Sequence, residues 1–458
     1  MKRRSFRSAC IPALILAALA AGPAVGQQRP ASGDSTALPL ADAVGRALMT
    51  HPSLARAEAE RASAASLADA ARATRLPSVG TEWSAVRFQK PMVVQPIHGF
   101  TPDALPDFDR TLVQGSVGAT WLLFDGGARG ARIARADAAT SAAEAGVAVA
   151  RTTLLAMLAR AYLGVLSARE TLAAHESRLR ALAAERSRAQ RLFDEGRAAR
   201  VAILRADAAS SRAEADRVAA EGALRLREAD LARLIGAAPA EVEAAALDSL
   251  ALADPPTAEA PADLRARAVA SDPAVLRARR AAETARASIG EARGAYLPAL
   301  SLTGRYNEYG SGEGDFSGEW QGGVQLSYAL FTGGARGDVV DRARADARAA
   351  EALVRITELE AAASVDRAWT AVAEARARAD ALAAAVVQFE EVADVERLAV
   401  DAGAGVQTDY LRAESDLLEA RAALTAARHT AMAAAVELAR ATGQLTPAWL
   451  TANLEVER

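Results

Sequence analysis

The side chains best suited to metal or acid–base chemistry are four histidines: His51, His98, His175 and His429. None stands near another at ligand spacing, so no metal site is expected. No G-x-S-x-G, no P-loop and no dinucleotide-type G-x-G-x-x-G after a strand occurs, and nothing implies a cofactor. Gly310-Ser311-Gly312-Glu313-Gly314 is glycine-rich, but it lies between two expected strands with no helix after it, which fits a surface hairpin. Phe124-x-Gly126-Gly127 and Phe331-x-Gly333-Gly334 could cradle phosphate at helix N-termini. They could equally be bends where a strand becomes a helix and backbones crowd, and this reading fits better. On these residues the chain is not an enzyme.

The elements that must position these motifs come in two copies. Leu123-Phe124-Asp125-Gly126-Gly127-Ala128-Arg129-Gly130 returns 207 residues later as Leu330-Phe331-Thr332-Gly333-Gly334-Ala335-Arg336-Gly337. His51-Pro52 with Leu76-Pro77 returns 221 residues later as Asp272-Pro273 with Leu297-Pro298. The difference of 14 residues is a proline-rich insertion in the first copy, Gln89 to Arg110, expected as a long strand-to-strand loop. A duplication on this scale implies two similar units packed side by side.

Residues 1–26 read as a secretory leader. Lys2, Arg3, Arg4 and Arg7 precede an apolar core at Ile11–Ala21 and a small-residue cleavage site at Ala24-Val25-Gly26. Cleavage would remove the only cysteine, Cys10, and with it any disulfide or thiolate metal site. It would also leave 50 basic against 57 acidic residues, with Lys90 the one remaining lysine. A net acidic chain without a basic patch excludes nucleic acid as a partner. No other apolar run approaches the length of a membrane helix, so a membrane-inserted form must be a β-barrel.

Each copy reads as helix, two strands, a very long helix, a tight break and a second long helix. The first occupies 27–235, with strands at about 78–88 and 112–124 and a turn at Gly196. The second occupies 263–443, with strands at about 299–309 and 320–331 and a turn at Gly403. Val79, Trp83, Val117 and Trp121 fall on one strand face; Ser78, Glu82, Ser116 and Thr120 fall on the other. Such alternation over four strands suits an outer-membrane barrel, although a soluble sheet with one buried face alternates in the same way. Four strands cannot close a barrel with a lumen, so several chains must contribute.

Leu155, Leu158, Tyr162 and Val165, matched by Val365, Trp369 and Val372, repeat at three- and four-residue steps. With no proline between Gly127 and Gly196, about 70 residues make a rod of roughly 100 Å, the length of a coiled coil. The helices expected over 38–75 and 197–234 together match that rod. Residues 236–262, with four prolines, form a linker at mid-height with a short helix at Glu241–Leu247, and 444–458 a short tail.

Taken together, the paired Leu-Pro segments, the paired Phe-x-Gly-Gly junctions and the two turns resemble the TolC-like family of outer-membrane efflux and secretion channels. The turns are Leu192-Phe193-x-x-Gly196…Leu204-x-Ala206 and Arg397…Gly403…Leu411-x-Ala413. The resemblance covers essentially the whole chain beyond the leader. It implies a mainly α protein with a membrane β part: a homotrimer with a long coiled-coil α-barrel and a twelve-stranded β-barrel, four strands per protomer. It also implies a passive channel set in outer-membrane lipid. Such a channel receives cargo from an inner-membrane pump of RND or ABC type through a periplasmic adaptor.

In that family acidic residues past the second turn can ring the periplasmic aperture. Asp409 stands where such a residue is expected, but Arg412 occupies the place of a second acidic ring. A carboxylate ring would favour cations; alternatively, Asp409 and Arg412 pair at i,i+3 on a solvated face. Leu192, Phe193 and Val406, beside Gly196 and Gly403, either seat an adaptor hairpin or pack within their own turns. A periplasmic adaptor and a filamentous coiled-coil protein are the competing classes. The first normally carries a single hairpin, and the second would explain neither leader nor strands.

Overall fold

A computed structural model of the protein describes residues 37–96, 106–252, 260–314, 316–402 and 404–456; the expected leader, His98 and Gly403 lie outside them. The first copy runs β1 (Ala37–Leu38), α1 (Leu40–Thr50), α2 (Pro52–Ala73), β2 (Ser78–Val93), β3 (Phe108–Asp125), α3 (Ala128–Asp194) and α4 (Arg200–Ile235). Then follow α5 (Pro239–Ala244), β4 (Ala246–Leu247) and β5 (Leu250–Leu252). The second copy runs α6 (Pro261–Ser271), α7 (Pro273–Gly294), β6 (Ala299–Ser311), β7 (Phe316–Ser327), α8 (Ala335–Asp401) and α9 (Gln407–Ala441). α10 (Pro447–Asn453) and β8 (Leu454–Val456) close the described chain.

Prolines decide where the shorter helices start. The single helix expected over 38–75 is two, because Pro52 disfavours helical backbone at His51. His51 is extended (φ −73°, ψ 125°) and caps α2, its Nδ1 accepting from the Ser53 N–H at 3.3 Å. Asp272 repeats the device before α7, its carboxylate accepting from the Ala274 N–H at 2.6 Å. Both caps satisfy amides that a helix start leaves bare.

α3 and α8 each contain 67 residues, about 100 Å of rod. Along its length α3 packs first on α2 and α7, then on α4 and α9, while α8 packs on α7, α6 and α9. Much of the tip-side packing is by alanine: Ala189, Ala206, Ala213, Ala393, Ala413 and Ala420 are buried. Small side chains let helices approach closely, and arginine pairs such as Arg186–Asp207 and Arg421–Glu390 span the seams on the surface.

Leu155, Leu158, Tyr162 and Val165 are fully buried, but in a broader core than a two-helix seam. That core is a collar at mid-rod, built with α1, the end of α4, α5, α9 and α10. It also corrects the expectation that only the leader is apolar enough to span a membrane. By length and composition α3 contains such a stretch, and residues 154–166 use their apolar surface against the collar. The linker and tail join here through two short strand pairs. β1 pairs with β4, and β5 with β8. The short helix expected at 241–247 sits at Pro239–Ala244 and gives way to β4.

Two polar side chains of α3 pin this collar. The Tyr162 hydroxyl donates to the Leu38 carbonyl at 2.9 Å and accepts from the Asp248 N–H at 2.8 Å. Burial pushes the Tyr162 pKa well up, so the hydroxyl keeps the proton it donates. Arg169 donates to the carbonyls of Val242 (2.7 Å) and Ala245 (2.8 Å) and pairs with the buried Glu228 at 3.1 Å. Tyr162→Phe leaves the Leu38 carbonyl and the Asp248 N–H unpaired, at about 1–3 kcal/mol. We expect a lower thermal midpoint by circular dichroism; an unchanged midpoint would remove the hydroxyl from the collar's support.

Glu437 of α9 pairs with Arg160 of α3 and with Arg440 (2.9 Å to Nε). Burial alone would raise its pKa, but the two guanidiniums prevail and hold the carboxyl below the usual range. A lowered folded pKa gives stability that is present above the unfolded value and lost as pH falls through the folded one. Acid titration should therefore loosen the α3–α9 contact. Glu437→Gln should flatten that acid limb in melts recorded between neutral pH and pH ~3.

Candidate functional site: the strand sheet and the helical tips

β2, β3, β6 and β7 form one antiparallel sheet in that order, open at both edges. Its register sets the two faces. Thr81, Val117, Tyr306 and Trp320 make one cross-sheet row, and the next row on the opposite face is Gly80, Gly118, Arg305 and Gln321. The first face leaves large apolar groups in the open, with Trp320 79 % exposed and Val79, Trp83, Val324 and Leu326 also exposed. Glycines admit the rings: a Cβ on Gly115 would strike the Trp83 ring, and one on Gly318 the Tyr306 ring. A continuous exposed apolar face of this kind requires lipid or a partner.

The strands run further than alternation alone predicts. β2 reaches Val93 and β3 begins at Phe108, with a register shift between Arg87 and Met92. Pro91 falls within that irregularity on an edge strand, where its missing N–H costs no ladder bond. The loop expected over Gln89–Arg110 is correspondingly shorter. β7, expected to reach 331, stops at Ser327, because β6 has no residue left to pair beyond Ala299. Leu330 and Phe331 are 87 % and 88 % exposed.

At the junctions all four predicted glycines have positive φ: Gly126 68°, Gly127 86°, Gly333 60° and Gly334 90°. A Cβ on Gly126 would overlap the Gly294 carbonyl oxygen and stand 2.8 Å from the Leu297 Cβ. The first junction is thus wedged against the end of α7. The second is free, with nothing within 4 Å of a Cβ at Gly333 or Gly334. The phosphate reading fails at the first junction. Asp125 already accepts from the Arg129 N–H at 2.7 Å and occupies the helix start.

The arginines inside these motifs do work that their spacing alone did not reveal. Arg129 reaches back to the carbonyls of Leu122 (2.6 Å), Leu123 and Thr74 (each 3.3 Å). Arg336 repeats this on Ala329 and on Ala295 (3.3 Å), and lies over the Tyr296 and Tyr328 rings. Each clamps a strand end and the preceding helix end to the new rod. Their return in both copies was the available signal.

At the first tip Gly196 has φ 72°, and the Leu192 carbonyl accepts from the N–H groups of Arg197 (2.8 Å) and Ala198 (3.1 Å). Leu192 is half-buried in this turn, whereas Phe193 is 40 % exposed. At the second tip the Ala399 carbonyl accepts from Ala404 (2.9 Å) and Gly405 (2.8 Å). Gly405 is the position the sequence reading missed: a Cβ there would stand 2.8 Å from the Val400 nitrogen. Val406, 59 % exposed, leads into α9. Asp409 and Arg412 are both exposed, and among the described residues no ion pair joins them.

The family model described as "Outer membrane efflux protein" matches residues 43–237 and 264–444. The chain belongs to this family. Among its relatives, the outer membrane efflux protein BepC of Brucella suis is 26 % identical over 71 % of each chain. Protein CyaE of Bordetella pertussis is 31 % identical over 71 % of each chain. The outer membrane protein VceC of Vibrio cholerae superposes with a TM-score of 0.73 at 21 % identity, covering 88 % of this chain and 96 % of that one. The MtrE outer membrane channel of Neisseria gonorrhoeae, in its open state, gives 0.70 at 20 % identity over 89 % and 91 %. The protein is accordingly a passive outer-membrane channel-tunnel of a Gram-negative tripartite export system, its strands in the membrane and its rods in the periplasm. Family and fold are those of transport channels rather than enzymes.

Gly126→Ala combines a strained φ, at about 1–2 kcal/mol, with the overlap on α7, at about 1–3 kcal/mol. Gly80, with open space around it, should accept alanine. The outer-membrane yield of folded protein should fall for Gly126→Ala and hold for Gly80→Ala; equal yields would contradict the wedge.

Proposed function

We propose that three subunits close one twelve-stranded barrel and one helical tunnel, through which cargo from an inner-membrane pump leaves the cell. The carrying observation is the mismatch between the two junctions. The first is packed against the second copy, while the equivalent surface of the second copy is bare. The internal repeat tells what would cover it. Across β3–β6, Val117 faces Tyr306; displaced by 207 and 221 residues these become Val324 and Ala85. Val324 of one subunit then faces Ala85 of the next, and Gly333 meets Ala73 of the next as Gly126 meets Gly294. β7 would extend along the neighbouring β2 to its expected end near Phe331. Three is the number the family resemblance implies, and twelve strands leave an open lumen.

At the other end the exposed Phe193 and Val406, with Leu192 and the turns at Gly196 and Gly403, receive a periplasmic adaptor that couples the tunnel to an RND- or ABC-type pump. Asp409, exposed in the first turn of α9 and not paired with Arg412, supports an aperture ring of three carboxylates, steadied by the positive end of the helix dipole. Arg412, one turn deeper, places positive charge behind that ring and moderates its preference for cations. The cargo is chosen by the pump.

With Ala85→Cys and Val324→Cys combined, a short bifunctional thiol reagent should give dimers and trimers on denaturing gels, and neither single variant should do so; monomers alone would refute this closure. Asp409→Ala should raise single-channel conductance and antibiotic leakage several-fold. No change in either would remove the aspartate ring.

A further inference from the structure

The polar face of the sheet encloses a trough of about 700 Å³ that includes Arg305, Glu82, Ser116, Thr120 and Gln321. Its floor is unusually bare. In the row of Arg305 the two preceding strands contribute only Gly80 and Gly118. Arg305 lies down on that floor: its Nε is 3.5 Å from where a Cβ on Gly118 would stand. The guanidinium therefore extends from β6 across β3 toward β2, along the wall rather than across the pore. Among the described residues no carboxylate forms an ion pair with it. Clamping arginines elsewhere in the chain, such as Arg129 and Arg169, spend their donors on protein carbonyls. Arg305 offers its donors to the lumen, with the Thr120 and Thr303 hydroxyls in the next row.

We propose that Arg305 forms a lumenal subsite for an oxyanion, a carboxylate or phosphate group carried by the cargo. The site rests on the barrel reading above and lies within one protomer. Threefold closure would set three copies at one height. A planar guanidinium can grip an oxyanion with two parallel hydrogen bonds. The glycine floor lets the bound group lie against the wall and leaves the pore open. Glu82 and Glu319 occupy the next polar row, so the row beside Arg305 is acidic. An anionic group would otherwise meet only repulsion here. Arg305 gives it a foothold, while the neighbouring carboxylates keep its stay short.

A thiol placed in the trough tests this. Thr120→Cys, opposite Thr303 across β3–β6, is labelled in the full-length protein with methanethiosulfonates carrying either a sulfonate or a trimethylammonium group. We expect Arg305→Gln to lower the ratio of anionic to cationic labelling rates by about fivefold, the effect of one unit charge at roughly 8 Å in water acting with opposite sign on the two reagents. Inorganic phosphate and acetate, each titrated against chloride at constant ionic strength, should slow the anionic reagent only when Arg305 is present. The stronger competitor identifies the head group. A ratio unmoved by Arg305→Gln, or competition no stronger than that of chloride, overturns the subsite. Failure of Thr120→Cys to react with either reagent would instead count against the barrel reading, since that face would not be open to water.

Discussion

A backbone inside a bilayer must satisfy every N–H and C=O within protein, since lipid offers no partner. Apart from the irregularity between Arg87 and Met92, the ladders of the four-stranded sheet meet that demand internally, and the deficit lies along β2 and β7, its two free edges. The remaining architecture is arranged around this deficit. The apolar face of the sheet suits lipid, the polar face suits water, and the edges demand copies of themselves. The rods then inherit their arrangement, because Arg129 and Arg336 fasten each rod to a strand end by hydrogen bonds to main-chain carbonyls.

The periplasmic part is held by a different balance. A rod about 100 Å long cannot be stabilised by one compact core, and bulky side chains would push neighbouring rods apart. Alanine seams lower the apolar area buried per residue but bring backbones close, and arginine–carboxylate pairs line the surface of those seams. Exposed pairs of this type contribute little each; their value lies in fixing which helix slides against which. The deep apolar burial is concentrated in the collar, where residues 154–166 of α3 meet segments from both ends of the described chain.

What could be read in the chain beforehand divides along the range of the interaction involved. Strand faces, rod lengths and glycine turns are local. A period of two around Val79 and Val117, a proline-free run after Gly127, and Gly196 at a helix end each carry their own signature. The collar was not legible, because β1 with β4 and β5 with β8 are pairings of two or three residues joined over long stretches of chain. The break at His51 is a local effect of Pro52, which disfavours helical backbone at the residue before it. The last strand stops short of its expected end near 331, since the hydrogen bonds that carry its repeat partner β3 to Asp125 come from β6. Gly405 escaped because Gly403 satisfied the repeat; its own need, close contact with the Ala399–Val400 backbone, is visible only in three dimensions.

The equal length of α3 and α8 bears on how such a chain can evolve. Deleting a single residue from one rod would turn everything beyond it by about 100° and draw its tip back by about 1.5 Å. Every alanine past the lesion would leave its groove, and the two tips of the protomer would end at different depths. Compensation would require the same lesion in the second rod and in the shorter helices stacked beside both. Rod length is therefore inherited as a quantised, duplicated trait. It can change in whole helical repeats made in both halves together, and the span of periplasm that the tunnel crosses can drift only in those steps.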